Sequence, residues 1–195
     1  MARVSRQPSE TGLYHAIIRG NNKSKLFHHA DDFNEMLRIL GVYRDRYIIS
    51  IHHYCLMTNH VHLLLWAEDV LLLSGYMHSI QRAYHHYYRK KRTYFGHLFQ
   101  GRYRSLPIQS ESYLLECGRY IERNPVRAKI TKDPNDWAYS SYSFYAYGAA
   151  SSLTTASVAY EALADQALDR QNLYRERVES TRPYEDIIDR ELVGV

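Results

Sequence analysis

Two histidines separated by one residue lie at the start of an apolar run in the middle of the chain. His60 and His62 flank Val61, and three leucines follow. Because side chains alternate between the two faces of a β-strand, a strand here would project both imidazoles from the same face. Neutral imidazole is the commonest protein ligand for metals, so the pair could share an ion if a third group came from elsewhere. On spacing alone, the simpler interpretation is two exposed or hydrogen-bonded histidines at a strand end.

A second pair of polar residues follows about sixty residues later. Tyr120 and Asn124 are four residues apart, so they would share one face of a helix. A tyrosine in such a helix more often belongs to the core or the surface than to an active site. The pair becomes a candidate catalytic group only together with His60 and His62.

The apolar pattern predicts the strands and helices that position these residues. The predicted strands are residues 13–19, 47–56, 60–66 and 103–108, and the predicted helices run from about 30 to 46, 70 to 92 and 110 to 124. The third helix is expected to stop at Asn124, because a following proline disfavours helical backbone. Pro107 indicates an edge strand or the end of a strand. The order of elements predicts an α+β fold, a ferredoxin-like antiparallel sheet with helices packed on one face.

The charge of the chain is unevenly distributed, which suggests two parts. Residues 1–150 carry 20 basic and 12 acidic residues, whereas residues 151–195 carry 5 basic and 9 acidic ones. A small, polar segment from Ala149 to Thr155 lies between them. We therefore expect one domain over residues 1–150 and an acidic, helical C-terminal extension over residues 151–195.

Composition also limits the compartment and the class of protein. The chain of 195 residues is long enough for a self-standing core, and no stretch approaches the ~20 apolar residues of a membrane span. The N-terminus does not resemble a signal peptide. Two cysteines do not form a disulfide framework. We expect a cytoplasmic protein with no membrane partner.

A strongly basic, aromatic stretch points to a polyanionic partner. Residues 70–110 contain seven Lys or Arg and no Asp or Glu, and many of the 19 tyrosines of the chain lie near them. Cations interleaved with aromatic rings suit single-stranded nucleic acid, because phosphates pair with the cations and bases stack on the rings. A solvated helix face with structural tyrosines is the alternative interpretation.

Two motifs resemble those of the HUH single-strand nucleases. His60-Val61-His62, preceded by residues 56–59, is similar to their His-hydrophobic-His motif. Residues 119–128 resemble the catalytic helix of the IS200-like one-tyrosine transposases, and they are most similar to the branch associated with repetitive extragenic palindromes (REP). Further similar stretches are residues 14–22, 96–103 and 137–142. The resemblance spans about residues 12–145.

The resemblance implies a catalytic mechanism and a metal cofactor. In that family, two histidines and an amide four residues after the tyrosine hold one divalent ion. The matching residues here are His60, His62 and Asn124, and their donors suit Mg²⁺ or Mn²⁺. Tyr120 would attack the scissile phosphodiester to form a 5′-phosphotyrosine and a free 3′-OH. A second 3′-OH could reverse the step and join a different strand.

The resemblance also implies a single-stranded or hairpin DNA partner, of REP type, for a bacterial, nucleoid-associated protein that works as a monomer or a homodimer. Charge and position suggest which residues contact the DNA. These candidates are Arg19, Asn21, Asn22, Arg89, Lys90, Lys91, Arg92, Arg102 and Arg104.

Two other functions remain open from the sequence. The chain could be a non-catalytic module that binds single-stranded or hairpin nucleic acid and whose metal site is vestigial or structural. It could also be a related rolling-circle initiator or relaxase. Those proteins commonly have longer chains and often carry extra tyrosines or a third histidine.

Overall fold

The computed structural model describes residues 7–110 and 112–180. The four strands are β1 (Leu13–Arg19), β2 (Ser50–Met57), β3 (His60–Trp66) and β4 (Arg104–Ile108). The helices are α1 (Ala30–Tyr47), α2 (Val70–Lys91), α3 (Ser112–Arg127), α4 (Tyr142–Tyr147), α5 (Val158–Glu161) and α6 (Ala167–Glu179). The predicted strands and the three long helices are all present; half of their fourteen ends match the prediction, and the other half differ by one to three residues.

The four strands form one antiparallel sheet in the order β2-β3-β1-β4. This order, with α1 and α2 as the two connecting helices, is that of the ferredoxin-like fold, so the predicted fold class is confirmed. β4 is an edge strand, one of the two alternatives that Pro107 indicated. Arg19 at the end of β1 lies opposite His60 at the start of β3. The two central strands therefore bring the histidine motif next to the turn that follows β1.

One face of the sheet packs against α1 and α2. The residues of this face alternate along the strands, as in Ala16 and Ile18 of β1 and Val61 and Leu63 of β3, all buried completely. Burying each large apolar side chain contributes roughly 1.5–3 kcal/mol. The alternation therefore fixes which face the neighbouring His60 and His62 must occupy.

The opposite face packs against α3, and we call it the α3 face. Ile17 and Leu64 of the sheet contact a cluster that includes Cys117 and Ile121 of the helix. The predicted fold has helices packed on one face of the sheet, and α1 and α2 occupy that face. α3 adds a further layer on the other side, because its own apolar stripe covers the remaining buried side of the sheet.

The end of α3 differs from the prediction. The helix continues to Arg127 with Pro125 inside it, whereas it was expected to stop at Asn124. A proline lacks the N–H that would bond to the carbonyl of residue 121. The side-chain amide of Asn124 supplies donors instead: its Nδ2 lies 2.9 Å from the Tyr120 carbonyl oxygen and 3.4 Å from that of Ile121. This local substitution of donors allows the last turn to form.

The C-terminal helices pack against α3 as well. α6 follows the boundary expected at residue 150, and its Tyr174 and Val178 are fully buried in a cluster with Leu115 and Tyr145. Arg123 of α3 donates to the carbonyl oxygen of Val178 at 2.7 Å. α5 and α6 lie within residues 151–180, and residues 181–195 lie outside the described part; the division of the chain at residue 150 stays a prediction. No helix within the described residues is long and apolar enough to cross a membrane.

A candidate active site on the α3 face

His60 and His62 project from the same face of β3, as the alternation predicts. Their ring centroids are 4.8 Å apart, and the ring planes are nearly perpendicular. Both lie on the α3 face, where His62 is fully buried and His60 is partly exposed. The pair therefore lies at the boundary between the core and solvent.

His15 of β1 contacts His62 directly. Its Nε2 is 3.0 Å from Nδ1 of His62, and both side chains are buried. Burial, the nearby His60 and His15, and the guanidinium groups of Arg127 and Arg19 hold the pKa of His62 well below its usual range. Burial also lowers the pKa of His15 to about 3. Both rings are therefore neutral at neutral pH, and neutral imidazole is the form that binds metals.

The Nε2 nitrogen of His62 is the ring atom left to bind a ligand. Within the described part of the chain, its Nε2 is buried and has no hydrogen-bond partner. If this nitrogen carried a proton, it would be a buried donor without an acceptor, which is costly. The favoured tautomer has the proton on Nδ1, where the N–H donates to His15, and a lone pair on Nε2.

A neighbouring amide orients His60 in a similar way. Its Nδ1 lies 2.6 Å from Oδ1 of Asn59. Since an amide oxygen can only accept, the proton of His60 is on Nδ1 and its lone pair is on Nε2. Both histidines of the motif thus have the tautomer that ligates through Nε2.

Tyr120 packs edge-on against this histidine cluster. Its ring centroid is 5.7 Å from that of His62 and 5.9 Å from that of His15, and the tyrosine is fully buried. The guanidinium carbon of Arg127 lies 5.0 Å from the centre of the Tyr120 ring. A cation is thereby placed beside the candidate nucleophile, where it could stabilise negative charge.

Asn124 is one helical turn beyond Tyr120 and is 9% exposed. Its amide nitrogen bonds to carbonyl groups of α3, so the amide oxygen is the atom left to contact a ligand. Carbonyl-type oxygen is a donor that Mg²⁺ and Mn²⁺ accept.

The residues present fit a divalent ion. Among residues 7–110 and 112–180, no three His, Cys, Asp or Glu side chains are grouped so that they could hold a metal. The candidate ligands are two imidazoles and an amide, and amides do not belong to those four residue types. The unpartnered Nε2 of His62 and the two matching tautomers are the observations that support this set.

A buried polar network holds α3 in place. Glu122 lies two residues after Tyr120 in α3. Its carboxylate accepts hydrogen bonds from Ser141 at 2.6 Å and from Tyr174 at 2.7 Å. It also lies 2.9 Å from Nδ1 of His53. All four side chains are nearly inaccessible. A carboxylate buried among several partners is costly to displace, so the network fixes the position of the Tyr120 helix. It also assigns His53 a structural role.

Two of the predicted DNA-contacting arginines lie at the same end of the sheet. Arg19 lies opposite His60 in the strand register and is close enough to affect the pKa of His62. Arg104 is exposed at the start of the edge strand, opposite Ile17. Asn21 and Asn22 follow Arg19 in an exposed 3-10 turn.

The basic cluster at the end of α2 separates into two kinds of residue. Arg92 bonds to the buried Asp32 at 2.5 Å, and Lys91 is 3.4 Å from the same carboxylate. These two cations therefore have a structural partner at the start of α1. Arg89 and Lys90 are exposed, as is Arg102 beyond the helix, and within the described residues none of the three has a hydrogen bond or ion pair.

Sequence reasoning missed His15, Arg127 and Glu122. His15 could have been found, because it shares its strand face with Ile17, which pairs with His62, and diagonal neighbours across a sheet can touch. Arg127 is seven residues after Tyr120 and so shares its helix face. Nothing in the sequence indicates that Glu122 meets Tyr174.

Comparison with known proteins identifies the family of the chain. The family described as "Transposase IS200 like" matches residues 9–124, a stretch that includes both histidines, Tyr120 and Asn124. The chain belongs to the IS200-like transposase family. A search of curated proteins finds no matching relative.

Two solved structures are similar to this transposase. One is a REP-associated tyrosine transposase bound to a REP hairpin, with a TM-score of 0.63, 18% identity and coverage of 81% of this chain and 93% of that one. The other is a putative transposase from Deinococcus radiodurans R1, with a TM-score of 0.42, 19% identity and coverage of 63% and 95%. The first supports the fold.

Proposed function

We propose that this transposase cuts and rejoins single-stranded DNA, with Tyr120 as the nucleophile and with His60, His62 and Asn124 as ligands of Mg²⁺ or Mn²⁺. The observation that carries the proposal is the unpartnered, buried Nε2 of His62, beside His60 and against the ring of Tyr120. Within the described residues, Nε2 of His53 is also buried and without a hydrogen-bond partner, but only His62 lies beside a second imidazole of the motif and against the ring of Tyr120.

The chemistry assigned to the chain is a transesterification. The Tyr120 oxygen bonds to the phosphorus and gives up its proton, and the bond from phosphorus to the 3′ oxygen breaks, leaving a 3′-OH and a 5′-phosphotyrosine. When bound, the divalent ion would act as a Lewis acid on the phosphate. The Arg127 guanidinium lies 5.0 Å from the centre of the Tyr120 ring, where its positive charge would favour the tyrosinate that attacks. Attack by another 3′-OH on the phosphotyrosine would join a new strand and release Tyr120.

DNA, in single-stranded or hairpin form, is the proposed partner. Arg89, Lys90 and Arg102 are exposed, have no hydrogen bond or ion pair among the described residues, and provide cations for phosphate contacts. A hairpin substrate is suggested by the similar transposase that was solved with a REP hairpin. Binding should weaken steeply with salt, because each phosphate contact releases counterions.

The test is a cleavage assay with the full chain. The substrate is single-stranded hairpin DNA from repeats flanking the gene, labelled at either end, with Mg²⁺ or Mn²⁺ added. The wild type should give a covalent adduct on the 5′ side of the break, and Tyr120→Phe should bind the DNA without forming it. The matched control is Tyr113→Phe, which changes a half-exposed tyrosine of the same helix. An undiminished adduct in Tyr120→Phe would exclude this nucleophile.

One observation favours the second candidate, a module that binds DNA without cutting it. The Tyr120 side chain is completely buried, so a phosphodiester can reach its hydroxyl only after a local rearrangement. Tight hairpin binding with no adduct under either ion would favour this alternative over the proposed enzyme.

A further inference from the structure

A cleft beside α2 is separate from the candidate active site, because its described lining includes neither Tyr120 nor any of the proposed metal ligands. It has a volume of about 520 Å³ and is formed by one face of α2 and the segment between α2 and β4. Its size is within the range of small-molecule and cofactor sites. The polar residues that line it are Asn21, His78, Gln81, Arg82, His85, His97 and Arg102.

The cleft is built for an anion. The described residues that line it include two arginines and three histidines but no Asp or Glu. Arg82 and Arg102 are exposed, and neither has a hydrogen bond or ion pair within the described part of the chain. This differs from Arg92 nearby, whose charge is neutralised by Asp32. Unpaired arginines that converge on a concave surface are typical of phosphate recognition.

The cleft is joined to the candidate active site by the backbone. The amide of Asn21 donates to the Leu98 carbonyl at 2.9 Å, and the amide of Gln100 donates to the Arg19 carbonyl at 2.9 Å. Arg19 in turn lies opposite His60. The segment that walls the cleft is therefore attached to the same end of the sheet as the histidine motif.

Two aromatic rings accompany the cations. Phe99 lines the cleft and is partly buried, whereas Phe95, next to the lining residue Gly96, is 91% exposed. A phenylalanine so exposed gains nothing from the core. Base stacking on an aromatic side chain is a common way for proteins to hold single strands.

We propose that this cleft binds an unpaired segment of the DNA strand, with Arg82 and Arg102 on its phosphates and a base stacked on Phe95. The inference rests on the proposed function and adds a location to it: the segment would lie outside the metal and tyrosine site but continuous with it. The residues proposed to contact this segment are different from Tyr120 and the proposed metal ligands.

The first test measures affinity by fluorescence anisotropy. The probe is a labelled hairpin oligonucleotide with a ten-nucleotide single strand on each side, and the protein is the full chain. Stacking contributes about 1–3 kcal/mol per base, so Phe95→Leu should weaken binding about five- to 150-fold. Arg82→Gln and Arg102→Gln should each weaken binding and lower the slope of log affinity against log salt. Arg46→Gln, at the exposed end of α1, is the charge-matched control and should have little effect.

The second test locates the contact by photo-crosslinking. The same oligonucleotide carries 5-iododeoxyuridine in its single-stranded parts, and trypsin digestion releases residues 93–102 as one peptide. Crosslinking to this peptide, lost in Phe95→Leu, supports the cleft. Crosslinks only to other peptides, or variants that bind like the wild type, would overturn it while leaving the transposase proposal intact. Failure of the wild type to bind the hairpin would overturn both proposals.

Discussion

The contact between His15 and His62 allows a sharp test of the proposed metal site. Replacing His15 with Leu removes the acceptor for the Nδ1–H of His62, and replacing it with Gln keeps an acceptor at a similar reach. If His15 fixes the tautomer and orientation of His62, the Leu variant should bind Mn²⁺ more weakly and the Gln variant should retain most of the affinity.

The size of the effect follows from burial. His62 is completely buried and the two nitrogens are 3.0 Å apart, so the Leu variant leaves a buried donor unsatisfied at a cost of about 1–3 kcal/mol. Residues that orient a metal ligand typically contribute 10- to 100-fold in metal affinity, which corresponds to about 1.4–2.8 kcal/mol. The first figure is a loss of folding free energy and the second is a loss of metal affinity. We therefore expect the Leu variant to be less stable and to bind Mn²⁺ about 10- to 100-fold more weakly.

The assay is a titration of the full chain with Mn²⁺, in which electron paramagnetic resonance detects the free ion. Thermal unfolding of each variant, without the ion, separates metal affinity from stability. Equal Mn²⁺ affinity in the wild type and the Leu variant would refute the reasoning. Equal losses in the Leu and Gln variants would show that packing of the imidazole, and not its acceptor, is what matters.

Two further predictions concern stability. In Gly118→Ala the new Cβ would lie 2.5 Å from the ring of His53, which is held in place by its hydrogen bond to Glu122. We expect urea unfolding to show a loss of about 1–3 kcal/mol in the free energy of unfolding. The control Gly41→Ala, whose Cβ would meet its nearest atom at 4.0 Å, should show no loss. For Asp32, burial opposes ionisation, but hydrogen bonds from Arg92, the His28 amide and Tyr87 outweigh it and lower the pKa. Asp32→Asn should therefore cost about 1.5–3 kcal/mol at pH 7. A carboxyl group whose pKa is lowered in the folded state stabilises the fold at pH values above its unfolded pKa of ~3.9, and this stabilisation is lost as the pH falls through the folded pKa. The difference in unfolding free energy between Asp32→Asn and the wild type should therefore shrink below about pH 4. A difference that stays constant with pH would contradict the assignment.

Much of the fold could be predicted from local pattern. The apolar runs of β1 and β3 predicted their bounds, because a strand packed on both faces is apolar along most of its length. The alternation of side chains along β3 put His60 and His62 on one face. The four-residue spacing put Tyr120 and Asn124 together, since helix geometry alone determines that relation.

The remaining features depend on contacts between distant segments. The partner of Arg92 is Asp32, sixty residues away, and a run of basic residues at a helix end looks the same whether it meets a carboxylate or DNA. The bond between Glu122 and Tyr174 likewise joins segments whose packing no local pattern encodes. The helix end at Pro125 was predicted wrongly because the general rule takes no account of a neighbouring amide that replaces the missing donor.

Because Pro125 follows it, Asn124 has a role in the helix as well as in the proposed metal site. One side chain uses its nitrogen to keep the last turn of α3 wound and leaves its oxygen for a ligand. An aspartate at this position would offer a stronger ligand but no donor for the helix, and a glutamine would place the same two atoms one methylene farther away. The proline beside Asn124 therefore limits which residues could replace it as the proposed third ligand. A change of ligand chemistry here would require the two neighbouring residues to vary as a pair.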